Sequence, residues 1–247
     1  MTVLASRGRG RLAPASPSGT RPNRATVAAL SLLGGIAYFS WPLGYIVNRA
    51  VVEGGLASDL EVPGQPFSWV FVLLDIVSGL LIMAIVILYS RASTGRTRTL
   101  SYRELAGYAI FGLTTAASAA VPLQCGQGMR ALLACGTTTS RYDLHDLLSL
   151  LGYFALFGSI LWALAGSDRW HARGLLAFAM KLFGILWSIC GLLLMVAVLA
   201  HWPQVECQHV FLALTSVVIA LVPVVLAQPN STHPADHTDV QVDSTAP

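Results

Sequence analysis

The sequence predicts an all-α integral membrane protein, a polytopic bundle of six transmembrane helices with both termini in the cytoplasm. Three observations carry this. Only 11% of the 247 residues are charged and 55% are hydrophobic, with a mean hydropathy of +0.65, whereas a soluble domain carries about 25% charged residues. Apolar segments of spanning length recur along most of the chain, with no soluble-looking block between them. The basic residues, finally, fall very unevenly on the loops that join those segments.

Taken in order, residues 1–24 carry Arg7, Arg9, Arg11 and Arg21 among Gly, Pro and Ser. That composition cannot bury enough apolar surface to fold alone, so it reads as a disordered basic tail. Ala25–Val47 is too long for a signal-peptide core and lacks a clear small-residue cleavage site, so it reads as a retained first span. Pro42 sits near its far end, where a kink is tolerated. Arg49–Pro66 reads as a polar connection ending in a turn-like Pro-Gly-Gln-Pro. The second span, Phe67–Ser90, is apolar on every face and holds one ionisable residue, Asp75. At ~1.5 Å per residue it crosses a hydrocarbon core of ~30 Å with some tilt.

A short basic loop, Arg91–Arg103, leads to a third span from about Leu105 to Val121. Its small residues Ala116–Ala120 permit close helix approach. Leu123–Asp146 is the longest internal loop, followed by spans at Leu147–Gly166, about Leu175–Ala200 and about His209–Ala227. Residues 228–247 hold no Lys or Arg and read as a second disordered tail, which leaves 25–227 as the membrane domain.

Six spans place both tails on one side. Twelve of the 15 Lys and Arg residues then share that side, against Arg49, Arg130 and Arg141 on the other. By the positive-inside rule the tails are cytoplasmic, and the expected location is the plasma membrane. The net charge of +3 reflects this distribution, not a nucleic-acid surface.

The polar residues at membrane depth gather toward the outer end. Asp75 and Ser78 lie in span two, Ser118 near the end of span three, and Asp143, His145 and Asp146 at the start of span four; His201 and His209 flank the last outer loop. A carboxylate within a span costs at least ~2.5 kcal/mol on insertion scales, so it needs a partner in the bundle interior. Asp75, Ser78, Ser118, Asp143, His145 and Asp146 are the candidate pocket. Two readings compete with it: Asp75 as a structural hydrogen-bond partner of Ser78, and His145 and Asp146 as caps of span four. Asp75, His145, His201 and His209 could instead ligate Zn²⁺, with Asp75, Ser118 and His145 as candidate catalytic residues. Cys125 and Cys135 share one outer loop, where a disulfide persists; a bridge to Cys207 is the other pairing, and mid-span Cys190 reads as a small buried apolar residue.

With six spans, an Asp followed by Ser-Gly in span two (Asp75, Ser78, Gly79) and a Cys-containing loop before a His at span four (Cys125, His145), the chain resembles a bacterial and archaeal membrane family. That family is the domain of unknown function nine-nine-eight, itself loosely similar to the six-span Frag1/DRAM/Sfk1 group. The resemblance spans about Ala25–Ala227 and implies an integral membrane protein with no settled activity; the eukaryotic relatives imply lipid-linked roles. A remoter likeness is to ceramidase-like intramembrane metal hydrolases, matched in kind by Asp75, Ser118 and His145. The late His-x-x-x-His pair of those enzymes has no counterpart, since His201 and His209 are eight apart.

The expected function is a non-catalytic, lipid- or envelope-associated membrane protein with an outward-facing polar pocket and no cofactor. Its expected partners are membrane lipids, together with further copies or other membrane proteins. The rival is a metal-dependent lipid amidase or esterase using Zn²⁺. A small transporter is disfavoured, because no polar residue in the cytoplasmic half continues a pathway.

Overall fold

A computed structural model describes residues 23–92, 101–121, 144–165, 174–200 and 205–226. Every regular element among them is helical: α1 (Arg24–Tyr38), α2 (Gly44–Val47), α3 (Arg49–Gly54), α4 (Ser68–Ala92), α5 (Tyr102–Ala120), α6 (Leu144–Ala165), α7 (Gly174–Leu199) and α8 (Val205–Leu226). The six long helices pack in a ring that follows chain order. α1 meets α4, α4 meets α5, α5 meets α6, and α8 closes the ring on α1; the thinnest seam is between α6 and α7.

The distribution of polarity is inverted relative to a soluble protein. Leu80, Leu113, Phe178 and Leu192 are each more than half exposed, while Ser31, Ser78, Thr215 and Ser159 are buried. So much outward apolar surface is stable only against lipid. Five helical segments, Arg24–Val47, Ser68–Arg91, Leu144–Ala165, Phe178–Ala197 and Val205–Val225, are long and apolar enough to cross a bilayer. The chain is a membrane-embedded helical protein.

α5 is the expected span that does not reach that measure. Its 19 residues open on Arg103 and Glu104 and are rich in Gly, Thr, Ser and Ala. The reason is packing. Flanked closely by α4 and α6, it buries small residues such as Gly107, Gly112, Thr115 and Ser118. A Cβ on Gly79 of α4 would lie 2.8 Å from the Ala116 nitrogen of α5, so glycine there sets how near the two backbones come.

Helix ends find partners. Asn23 Oδ1 accepts from the Ala25 N–H and caps α1. The carbonyl of Pro223, one of the last four in α8, accepts from the Tyr89 hydroxyl of α4. Trp187 is fully buried and donates from Nε1 to Thr215 Oγ1 at 2.9 Å, tying α7 to α8.

The first span, Arg24–Val47, is interrupted at the expected proline: α1 stops at Tyr38, and Pro42 sits in a 3₁₀ turn, Trp41–Leu43, before α2. A proline ring cannot continue the hydrogen-bond ladder. The connection 49–66 is more than the expected polar loop. It folds as α3 and a second 3₁₀ turn, Ala57–Glu61, with Val52 and Leu60 only 1% exposed against Phe71 of α4. The chain enters α4 through Gly64 and Phe67, both at positive φ. This cap closes one end of the ring.

Candidate functional site

The cap covers a cavity of about 140 Å³ at the loop-bearing end of the bundle. Five long helices and the cap furnish its wall, and α7 does not. From α1 and the turn after it come Tyr38, Ser40 and Trp41; from the cap, Leu56, Ala57, Ser58 and Glu61. α4 supplies Phe71 and Asp75, α5 supplies Phe111, Thr115 and Ser118, α6 supplies His145, Asp146, Ser149 and Tyr153, and α8 supplies Gln208 and Leu212.

Asp75 stands about two turns into α4, roughly 10 Å along the helix at ~1.5 Å per residue. Its partner is Glu61, the last residue of the cap's 3₁₀ turn, through a hydrogen bond between the two carboxyl groups. Burial, followed by the charge of Asp75, holds the Glu61 carboxyl well above the ordinary carboxylate range. A shared proton is what permits two acids to meet at such a site. Beside them the Tyr38 and Tyr153 hydroxyls hydrogen-bond at 2.6 Å, bridging α1 and α6 across the ring. Gln208 Oε1 accepts from the Ala57 N–H at 2.8 Å, and Asn48 Nδ2 donates to Gln65 Oε1 at 2.7 Å, so the cap is fastened both to α8 and to itself.

His145 and Asp146 lie in the first turn of α6, which begins at Leu144, earlier than the expected Leu147. The His145 ring is buried, with Nδ1 2.8 Å from the Ser118 carbonyl oxygen. A carbonyl only accepts, so Nδ1 carries a hydrogen, and Nε2 is the acceptor when the ring is neutral. The Ser118 hydroxyl donates to the Thr115 carbonyl at 3.0 Å. His145 therefore meets the backbone of Ser118 and not its hydroxyl, and the two do not form a nucleophile–base pair.

Of the sequence-predicted pocket residues, the fold brings Asp75, Ser118, His145 and Asp146 to one cavity. Ser78 is elsewhere. It is fully buried and donates to the Gly34 carbonyl of α1 at 3.0 Å, so it serves helix packing and not Asp75. His209 stacks flat on Trp41, ring centroids 4.2 Å apart. Asp143, His201, Cys125 and Cys135 lie outside the described residues. Cys190 and Cys207 are free thiols, and no disulfide forms among the described residues. Nor do three His, Cys, Asp or Glu side chains among them converge as metal ligands.

Sequence reasoning missed Glu61, Tyr38, Trp41, Tyr153 and Gln208. For Glu61 a signal existed: an acid beside Pro-Gly-Gln-Pro, directly before a span bearing a lone Asp. The tyrosines carried no signal, because an aromatic ring in an apolar span reads as core.

Residues 32–228 match the family described as "Protein of unknown function (DUF998)". The chain belongs to that family. The matched range takes in all six long helices and the cap, beginning within α1. No curated relative and no solved structure matches.

Proposed function

We propose that this DUF998 member is a six-span, non-catalytic protein of the plasma membrane that holds the polar headgroup of a lipid in its capped cavity. α5 is the sixth span, the two tails are cytoplasmic, and the cavity faces outward. The observation that carries this reading is the wall itself. Two hydrogen-bonded acids and two hydrogen-bonded tyrosines, together with Thr115, Ser149 and Gln208, surround about 140 Å³ at the end of a bundle whose outside is apolar. Polar groups at membrane depth are expensive unless partnered, and ionisable groups there mark a binding site by default. The position at the helix ends fits a headgroup, whose acyl chains stay in the bilayer.

Native mass spectrometry on the full-length protein, extracted in mild detergent, tests it. Wild type is expected to retain one lipid class at defined stoichiometry. Ser149→Phe, which fills the cavity from α6, is expected to lose it. Identical lipid retention by wild type and Ser149→Phe would overturn the proposal.

A further inference from the structure

The Glu61–Asp75 pair has a requirement that its surroundings constrain. Two carboxylates have only acceptors, so a hydrogen bond between them needs at least one proton. The other titratable groups on the wall are Tyr38 from α1 and His145, Asp146 and Tyr153 from α6. α5 and α8 present only neutral groups, among them Thr115 and Gln208, and no Lys or Arg stands among the described lining residues. The wall thus offers acceptors and acids, and no fixed cation. A separate observation concerns Trp41. Its indole N–H is buried with no hydrogen-bond partner among the described residues, at a residue that also lines the cavity. A ligand with an oxygen acceptor close to its positive nitrogen would satisfy that donor as well. The aromatic rings of Trp41, Phe71 and Phe111 stand on the same wall, and a cation is attracted to any ring face it meets. The volume is close to that of an engineered cavity of ~150 Å³ that accommodates benzene, so a group of about six heavy atoms fits.

We infer that the cavity takes a small amino-alcohol ammonium group, of a lipid headgroup or a free amine, in exchange for the proton that Glu61 and Asp75 share. This deepens the headgroup reading and rests on it. In the exchange one carboxyl O–H bond breaks and the proton passes to solvent. The ammonium nitrogen keeps its hydrogens and donates N–H bonds to the freed oxygens; no covalent bond forms to the ligand. Affinity therefore rises with pH, by up to ~tenfold per unit while the pair still holds its proton.

The test is calorimetry on the full-length protein in maltoside micelles, with ethanolamine as probe. Two buffers of different ionisation enthalpy, neither a primary amine, count the protons released. Ethanolamine is expected to bind with about one proton released per site. In Glu61→Gln, which keeps a hydrogen bond toward Asp75, that release is expected to vanish. Nanodiscs of phosphatidylethanolamine or phosphatidylglycerol identify the source. Selective retention of phosphatidylethanolamine assigns a lipid headgroup, and ethanolamine binding without such retention assigns a free amine. Binding of phosphatidylglycerol or glycerol phosphate but not ethanolamine would overturn the ammonium inference and leave the headgroup reading standing. Failure of every probe and lipid would overturn both. Proton release unchanged in Glu61→Gln would overturn the exchange.

Discussion

Asp75 and His145 share a wall but not a bond, and this changes what their mutation should do. Asp75 is engaged by Glu61, His145 by the Ser118 carbonyl. Asp75→Asn and Glu61→Gln should therefore be non-additive in thermal stability, whereas Asp75→Asn and His145→Ala should add. A coupling between Asp75 and His145 larger than that between Asp75 and Glu61 would reverse the assignment. Glu61 also sets a pH dependence. Its folded value lies above the ordinary 4.5, so its contribution to stability is complete below that pH and is lost as pH rises through the raised value. Wild type should accordingly gain thermal stability over Glu61→Gln as the medium is acidified from about pH 7 toward 5. The Tyr38–Tyr153 bond is a third case. Replacing either by Phe should cost about 0.6 kcal/mol, and at most ~1.7, as for other interhelical hydrogen bonds in membranes. The double Phe variant in a denaturation cycle reads the coupling.

At the scale of elements, the break in α1 and the fold of 49–66 belong together. Pro42 ends the first helix early, and the freed chain turns back over the ring so that Leu60 and Val52 are buried. Without that turn Glu61 would stand in solvent and Asp75 would have no acid beside it. The helix seams depend on small residues. At Gly35 an added Cβ would lie 2.7 Å from the Ser216 carbonyl oxygen of α8. Gly35→Val should separate α1 from α8 and lower stability by about 1–3 kcal/mol, whereas Gly54→Val, with nothing within 4 Å, should be near neutral. Equal losses at the two sites, measured by thermal unfolding in detergent, would contradict the close approach of α1 and α8.

At the scale of the whole molecule, the arginine distribution predicts an orientation. A cysteine placed at exposed Gly54 of the cap should react with an impermeant thiol reagent in intact cells, while one at Ser93, beyond α4, should not. Labelling at Ser93 alone would turn the cavity toward the cytoplasm. Cap and cavity lie at the same end, because the C-termini of α1 and α5 and the N-termini of α4, α6 and α8 all meet there.

The sequence alone determined the medium and the long helices. Apolar runs of spanning length permit only backbone-satisfied helices in lipid, and the family follows from the same stretch. It also drew attention to Asp75, Ser118, His145 and Asp146, because an acid or imidazole at membrane depth is conspicuous against an apolar background. What only the tertiary structure decided was partnership. Ser78 is three residues from Asp75, yet its hydroxyl goes to Gly34 of a neighbouring helix. Glu61 is fourteen residues away in the chain, and the folded cap brings it into contact. Tyr38 and Tyr153, 115 residues apart, meet across the ring. Hydropathy records how a residue partitions between water and lipid, one position at a time. Partners are chosen by the order in which helices pack and by where the chain turns back, and those are properties of the closed ring.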